Sequence, residues 1–284
     1  MTNILVTGSN GQLGSEIREI ADQYPDFKFF FTDIEELDLT NKNAVEQFFD
    51  ENNIDVCVNC AAYTAVDKAE DEKELALAIN HETVETLADN CSKHDSLLIH
   101  ISTDYVFNGR NFKPYTEEDT PSPESYYGLT KLQGEKAAIT HASNVIIIRT
   151  AWLYSRFGNN FVKTMLRLGK EKDKIGVVAD QVGTPTYAGD LAIAIMEVIK
   201  QNDKPVKEIY HFSNEGAISW YDFAKAIMAI RKLPCQVNPI ESKDFPAKAN
   251  RPFYSVLNKA KIKKHFNLEI PYWLDSLIKV LSKL

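Results

Sequence analysis

The sequence has few of the features that mark secreted and membrane proteins. Only 4 of its 284 residues are cysteines, which is too few for a disulfide framework in a chain of this length. No apolar run reaches the roughly 18 residues that a membrane span needs. The first residues lack the basic region and apolar core of a signal peptide. We therefore predict a reduced, cytoplasmic protein with no membrane partner.

Positive charge is scarce as well, since 32 Lys and Arg stand against 40 Asp and Glu for a net charge of −8. Nucleic acids and anionic membranes generally bind a basic face, so this balance predicts no nucleic-acid partner. A nucleotide-sized anion is still allowed, because a few local groups can hold it. Apolar residues make up 44% and charged residues 25% of the chain, which is typical of a soluble globular protein.

Two of the cysteines, Cys57 and Cys60, have the C-x-x-C spacing of redox pairs and zinc sites. They lie in an apolar run that is typical of a buried strand, where an offset of three residues sends side chains to opposite faces. The six histidines also lack the spacing of metal ligands. The sequence therefore predicts no metal site.

Short apolar runs alternate with helical patterns in the first half of the chain. The predicted strands are 3–7, 28–32, 56–60, 97–102 and 145–149. The predicted helices between them are 12–23, 44–51, 72–94 and 126–140. Because the strands are continuously apolar rather than alternating, we predict an α/β fold with a doubly wound parallel sheet, covered on both faces by helices.

A glycine-rich turn follows the first predicted strand and opens the first predicted helix. Gly8, Gly11 and Gly14 form a variant of the dinucleotide fingerprint, in which glycine permits a tight turn, close approach to a pyrophosphate and close packing of helix on strand. The free N–H groups and the helix dipole favour phosphate there. Asp33, about 20 positions further on, can accept hydrogen bonds from ribose hydroxyls. The cofactor site predicted here consists of Gly8, Asn10, Gly11, Gln12, Leu13, Gly14 and Asp33.

The acidic side chain of Asp33 also bears on which cofactor is bound. A carboxylate at this position should repel the extra phosphate of NADP, and the glycine turn contains no Arg. The residues alone therefore favour NADH, although Lys or Arg from elsewhere in the fold could still reach a phosphate.

The alternation of strands and helices loosens after about Ala151. Helical stretches there, at 161–168, 190–199 and 221–230, are separated by loops rich in Gly, Pro, Asn and Asp. We predict an NAD(P)-binding Rossmann domain over 1–150 and a smaller, partly discontinuous substrate-binding domain over most of 151–284. Later elements near 175–200 and 208–230 are expected to return to the first domain.

A candidate catalytic set lies near the middle of the chain. Tyr127 and Lys131 are four residues apart at the start of a predicted helix and hence on one face. A nearby ammonium stabilises a phenolate, so we expect Lys131 to lower the pKa of Tyr127. Ser102 and Thr103 end the preceding strand, at the edge where parallel sheets bind ligands. A hydroxyl there can hydrogen-bond a substrate carbonyl.

Together these motifs resemble the extended short-chain dehydrogenases/reductases, which place a Ser or Thr, a Tyr and a Lys on a Rossmann fold. By residue match, Thr103, Tyr127 and Lys131 take the three catalytic positions. The resemblance runs nearly end to end, through residues 7–14, 59–70, 102–109, 127–135, 149–154, 158–165, 180–192 and 251–252.

The resemblance implies reduction of the C4 ketone of dTDP-4-dehydro-L-rhamnose to dTDP-L-rhamnose, with a dTDP-sugar as the partner. It implies NADPH, or acceptance of both NADPH and NADH, and this conflict with the Asp33 argument stays open. It also allows Mg²⁺, for which the sequence shows no ligands, and a homodimer. The further cofactor contacts expected are Asp38, Leu39, Ala61, Ala62, Tyr63, Tyr127 and Lys131. The substrate contacts expected are Thr64, Val66, Thr103, Asp104, Trp152, Asn159 and Arg251.

Two other interpretations stay open. One is another sugar-nucleotide enzyme of the same family, a 4-epimerase or a 4,6-dehydratase. Dehydratases carry Glu after the Thr-Asp pair, where this chain has Tyr105. The other is a non-catalytic NAD(P)-binding regulatory subunit, which would have no need for the complete set of Thr103, Tyr127 and Lys131.

Overall fold

A parallel six-stranded sheet forms the centre of the computed structural model, which describes residues 1–202 and 204–284. Numbered in chain order, its strands are β1 (Thr2–Thr7), β2 (Phe27–Phe31), β3 (Val56–Asn59), β4 (Leu97–Thr103), β5 (Val145–Thr150) and β10 (Lys207–His211). Their order across the sheet is β10-β5-β4-β3-β1-β2, and every neighbouring pair is parallel. The predicted α/β fold, a Rossmann-type doubly wound sheet, is confirmed.

Helices cover both faces of this sheet. They are α1 (Gln12–Ile20), α2 (Lys42–Asn52), α3 (Lys73–Leu77), α4 (Thr83–Lys93), α5 (Tyr126–His141), α6 (Phe161–Glu171), α7 (Ala188–Gln201), α8 (Trp220–Ile230), α9 (Ala260–Phe266) and α10 (Trp273–Leu281). Alternate residues of a strand enter two separate apolar cores, one on each face of the sheet. Ile4 and Val6 pack against α1 and α7 in the first core, and Leu5 packs against α2 and α4 in the second. Within the part that the structure describes, no helix is long and apolar enough to cross a membrane.

The two cysteines of the C-x-x-C pattern lie on opposite sides of the sheet. Cys57 is buried in the core that contains Leu5, whereas Cys60 packs against the core that contains Ile4. The strand interpretation of this pattern is confirmed, because a shared metal or disulfide would need both sulfurs on one side.

A third apolar core lies outside the sheet, around α6, α8 and α10. Short strands run beside it: β6 (Leu153–Tyr154), β7 (Lys174–Val178), β8 (Val182–Gly183), β9 (Thr186–Tyr187), β11 (Ile218–Ser219) and β12 (Gln236–Ile240). They pair as β6 with β9, β7 with β12 and β8 with β11. Among the late elements, α7 and β10 lie with the main sheet, whereas β7 and α8 enclose the third core.

Candidate active site

The glycine turn lies against the carboxyl end of β3. Gly8 has a φ of +59°, and a Cβ there would lie 2.7 Å from the backbone nitrogen of Ala61, so only glycine fits. The turn also reaches the end of β2, where the Asn10 N–H donates to Asp33 Oδ2 at 2.9 Å. The second carboxylate oxygen, Oδ1, accepts from the Ile34 N–H at 2.9 Å. Asp33 is therefore fixed at the edge of the turn.

A cavity of about 690 Å³ opens beside this turn. Its size lies within the usual range for small-molecule sites. Its polar side is made by the turn and Asp33, and its apolar side includes Ile34, Leu37 and Ile79. The predicted cofactor residues that line it are Gly8, Asn10, Gly11, Asp33, Asp38, Leu39, Ala61 and Ala62.

Other predicted cofactor residues lie outside the cavity lining. Gln12 Oε1 accepts from Asn160 Nδ2 at 3.0 Å, which joins α1 to the start of α6. The side chain of Leu13 is buried in the apolar core, and Gly14 packs against the Ser9 backbone. Tyr63 donates its phenol proton to Glu72 Oε2 at 2.6 Å.

The start of α5 is pressed against the turn that follows β4. Ser125 caps the helix, accepting from the Gly128 N–H at 3.1 Å. A Cβ on Gly128 would lie 2.2 Å from the carbonyl oxygen of Tyr105, so the helix can approach this closely only with glycine there. The approach brings Tyr127 beside Thr103 at the end of β4, with its ring edge-on to Tyr105 at 5.5 Å.

Tyr127 is almost completely buried. Burial raises its pKa, while a hydrogen bond with the Thr103 hydroxyl acts in the opposite direction. The expected lowering of the Tyr127 pKa is not found here, because burial raises it and Lys131 is not among the groups that act on it. A raised pKa keeps the phenol protonated.

Lys131 is buried on the same helix and directed toward β4. Its ammonium donates to the Ile101 carbonyl at 2.7 Å and lies 3.4 Å from Nε2 of His100. Burial lowers its pKa to about 8, although Glu135 and Cys60 act to raise it. Thr103, Tyr127 and Lys131 therefore lie together at the carboxyl ends of the strands.

Two of the predicted substrate residues have unusual surroundings: Asp104 is a buried carboxyl, and Trp152 has a left-handed backbone and a stacked ring. Burial raises the pKa of Asp104 to about 6, although hydroxyls of Ser255 and Thr103 lower it. Trp152 has a φ of +48° and stacks on Trp220 with 3.5 Å between ring centroids.

The remaining predicted substrate residues differ in exposure. Arg251 pairs with Asp67 at 2.7 Å and approaches the Tyr105 hydroxyl at 3.4 Å. Val66 packs in the small apolar cluster that contains Tyr127. Thr64 and Asn159 are exposed.

Three buried polar residues near the site escaped the sequence analysis: Asn59, Asn80 and His100. Asn80 accepts from the Tyr63 N–H at 2.9 Å and donates to the Thr130 hydroxyl at 3.1 Å, which ties the chain after β3 to α5. His100 interrupts an otherwise apolar strand, and that interruption was the one signal that could have revealed it.

A group that could hold a metal lies elsewhere, on the outer surface of α4 and α5. It consists of Glu85, Asp89 and His141. His141 Nδ1 is already 2.8 Å from Asp89 Oδ1, and exposed acidic groups of this kind are common without a metal.

Comparisons with known proteins agree on one group of enzymes. The family model described as the RmlD substrate binding domain matches residues 1–284. A dTDP-4-dehydrorhamnose reductase of Aggregatibacter actinomycetemcomitans is 41% identical, over 98% of this chain and 97% of that protein. A Clostridium acetobutylicum dTDP-4-dehydrorhamnose reductase structure has a TM-score of 0.95 at 41% identity and covers 99% of each chain. The Bacillus anthracis reductase in complex with NADP has a TM-score of 0.95 at 38% identity and covers 100% of each chain.

Proposed function

The chain belongs to the family of the RmlD substrate binding domain, and from that membership we propose an NAD(P)H-dependent reductase of a sugar-nucleotide ketone. The substrate is dTDP-4-dehydro-L-rhamnose, and the product is dTDP-L-rhamnose. The observation that carries the proposal is the grouping of Thr103, Tyr127 and Lys131, of which Lys131 lies near Cys60 in the lining of the nucleotide-sized cavity. The names of the relatives support the same substrate.

The cavity fits a dinucleotide cofactor. The N-terminus of α1 and the glycine turn offer N–H groups to the phosphates, Asp33 accepts from ribose hydroxyls, and the apolar wall suits the adenine. When bound, the reduced nicotinamide supplies the hydride that adds to C4 of the sugar. The NADP held by the Bacillus anthracis relative supports NADPH here, and Asp33 supports use of NADH as well.

The three catalytic residues divide the remaining chemistry. Tyr127 is protonated at neutral pH, because burial raises its pKa, and it donates that proton to the C4 oxygen as negative charge develops there. The Thr103 hydroxyl orients the carbonyl and stabilises the growing charge. Lys131 would hold the nicotinamide ribose and supply positive charge near it.

Residues other than Thr103, Tyr127 and Lys131 hold the rest of the substrate in this proposal. Arg251, next to Tyr105, binds the diphosphate of the sugar nucleotide. Trp152, supported by Trp220, packs against the sugar. Thr64, Val66, Asp104 and Asn159 complete the proposed contacts.

The domain organisation supports separate regions for the cofactor and the substrate. Residues 1–150, with α7 and β10, bind the cofactor, and most of 151–284 covers the substrate. A homodimer, a cytoplasmic location and a role for Mg²⁺ remain predictions.

One experiment separates the reductase from a dehydratase or an epimerase. Those enzymes keep NAD bound through turnover, whereas a reductase exchanges its cofactor. We expect the purified protein to oxidise NADPH or NADH only when dTDP-4-dehydro-L-rhamnose is added, with one product formed per cofactor consumed. Stoichiometric NAD that cannot be exchanged would favour the alternative, and no oxidation with either cofactor would favour a binding subunit.

A further inference from the structure

We propose that His100 is a positioning residue for Lys131, held by Asn59 in the tautomer whose Nε2–H faces the lysine amine. This inference deepens the proposed function, because it concerns the lysine assigned there to the cofactor. It rests on a line of buried hydrogen bonds that runs beneath the carboxyl ends of β1, β3 and β4.

The line begins at a group whose role is fixed. The backbone N–H of Ala61 can only donate, and it points at Oδ1 of Asn59 at 3.2 Å. The Thr7 hydroxyl donates to the same oxygen at 2.7 Å. These contacts fix which end of the Asn59 amide is the oxygen, and therefore which end is the NH₂.

The NH₂ end of Asn59 decides the protonation of His100. Nδ2 of Asn59 lies 3.1 Å from Nδ1 of His100. An amide NH₂ has no acceptor, so Nδ1 must accept and carries no proton. The imidazole is fully buried. Burial is the main cause that holds the pKa of His100 well below its usual value, and the positive charge of Lys131 is the second, so the ring is neutral. Its single proton is therefore on Nε2.

Nε2 is the atom that faces Lys131, with 3.4 Å between it and Nζ. If Lys131 were a charged ammonium, one of its N–H groups would face the Nε2–H of His100, so that two donors would meet. A neutral Lys131 amine could instead accept the Nε2–H. His100 therefore disfavours the ammonium form, in the same direction as burial. The other titratable groups facing Lys131 are Cys60 from β3 and Glu135 from α5, which favour the ammonium.

Glu135 opposes His100 only in part, because its carboxylate is already engaged. Its oxygens accept from Arg149 at 2.7 and 2.8 Å and from the Ser102 hydroxyl at 2.6 Å. The balance leaves Lys131 able to lose and regain a proton near neutral pH. Such a lysine can help restore the proton that Tyr127 gives up in each reduction.

The tautomer can be measured directly in the unmodified protein. In a sample labelled with ¹⁵N-histidine, two-bond ¹H–¹⁵N correlations distinguish a protonated from an unprotonated ring nitrogen, and the spectrum of His100→Gln assigns the signal. We expect His100 to have a protonated Nε2 and a bare Nδ1. A proton on Nδ1, or a doubly protonated ring, would overturn the proposal without bearing on the reductase assignment.

The effect on the lysine gives a second test. In protein labelled with ¹³C-lysine and assigned with Lys131→Arg, the Lys131 signal should titrate below the other lysines. His100→Leu removes the facing N–H, so the midpoint should move upward by about one pH unit. His141→Gln, on the outer surface, should leave it in place. A midpoint that is unchanged or moves downward in His100→Leu would contradict the proposal.

A third variant tests whether Asn59 acts through the histidine. Asn59→Asp places an acceptor opposite Nδ1 and should move the His100 proton there, so that Nε2 accepts from Lys131. The fall of kcat at high pH, which we expect to follow loss of the Lys131 proton, should then move to higher pH. This shift should be larger than the shift that Asn59→Asp causes in the His100→Leu background. Equal shifts in both backgrounds would show that His100 carries none of the effect.

Discussion

Tyr127 is the residue on which the proposed reaction depends most directly. A phenol is protonated at neutral pH and burial raises the pKa of Tyr127 further, so the residue begins each cycle as a proton donor. The same burial would hinder a tyrosine that had to begin as a base. At the scale of single residues, Tyr127 is therefore in the protonated form that the reduction requires.

Replacing Tyr127 with Phe tests this role. We expect kcat to fall by about 10²- to 10⁴-fold, the usual contribution of a positioned general acid, while the Kd for NADPH stays nearly unchanged. Tyr126→Phe, at the neighbouring tyrosine, serves as the control and should retain turnover. Steady-state kinetics and cofactor titration measure both quantities, and near-normal turnover in Tyr127→Phe would refute the assignment.

Asp33 should govern the choice between the two cofactors. Its carboxylate lies at the cavity edge, where the extra phosphate of NADPH would approach it. Asp33→Asn removes that charge, so the ratio of kcat/KM for NADPH to that for NADH should rise about tenfold, equivalent to about 1.4 kcal/mol.

The matched control for Asp33→Asn is Glu35→Gln, in the same exposed turn but outside the cavity lining. This variant should leave the ratio unchanged. A ratio that responds equally to both substitutions would mean that only the general surface charge matters.

The sequence predicted which residues lie together at the candidate site but not their ionisation. Thr103, Tyr127 and Lys131 were recognisable because each occupies a position of a known motif. The raised pKa of Tyr127 and the contact between Lys131 and His100 depend on packing across β4 and α5. No spacing along the chain encodes that packing.

At the scale of elements, the approach of α5 to the turn after β4 places Tyr127, the proposed proton donor. Gly128 makes this approach possible, since a Cβ would meet the Tyr105 carbonyl oxygen at 2.2 Å. A backbone atom cannot move aside as a flexible side chain can. The helix would therefore have to shift, and Tyr127 would shift with it.

Gly128→Ala should lower both stability and turnover. We expect the free energy of unfolding to fall by about 1–3 kcal/mol, the usual cost of overpacking, as measured by urea denaturation. Gly176→Ala is the control, since its Cβ would meet only the Ile240 side chain, at 3.0 Å. Equal stability of Gly128→Ala and the parent protein would show that the contact does not set the position of α5.

The strands and helices of the first half were predictable because each buries a continuous apolar face. The helix predicted over 72–94 is instead divided into α3, a π-helical turn at Ala78–Glu82 and α4. That turn places Asn80 against the backbone of Tyr63 after β3. Helical periodicity does not reveal such a tertiary contact. The two- to five-residue strands of the later half were missed because their pairing is non-local.

At the scale of the whole molecule, buried histidines should make the fold sensitive to acid. Burial lowers the pKa of His211 to about 3 and that of His100 well below its usual value. The unfolded chain takes up these protons below about pH 6.5 and the native chain does not, so stability falls as pH falls. Asp104, with its pKa raised to about 6, opposes this below pH 6 by binding a proton in the native state.

Each buried neutral histidine leaves the unfolded state with about one excess proton near pH 5, so that histidine costs about 1.4 kcal/mol of stability per pH unit. We expect His211→Gln to lose less stability than the parent protein between about pH 7.5 and about pH 5, by about 2 kcal/mol. Urea denaturation at the two pH values measures this difference. Parallel losses in the two proteins would contradict the buried, neutral state of His211.

The negative net charge predicted the absence of a polyanion partner but said nothing about the pocket. The cofactor and the substrate are both diphosphates, and in the proposed function their charge is met locally, by the start of α1 and by Arg251. Only the three-dimensional structure shows that Arg251 lies next to Tyr105, since 146 residues separate them along the chain.

The most direct test of the central claim follows the hydride itself. The protein is mixed with dTDP-4-dehydro-L-rhamnose and NADPH deuterated at the nicotinamide carbon that delivers the hydride, and the product is examined by NMR and mass spectrometry. The account predicts dTDP-L-rhamnose with one deuterium, located at C4. A product without deuterium at C4, or no reduction with either NADPH or NADH, would contradict it.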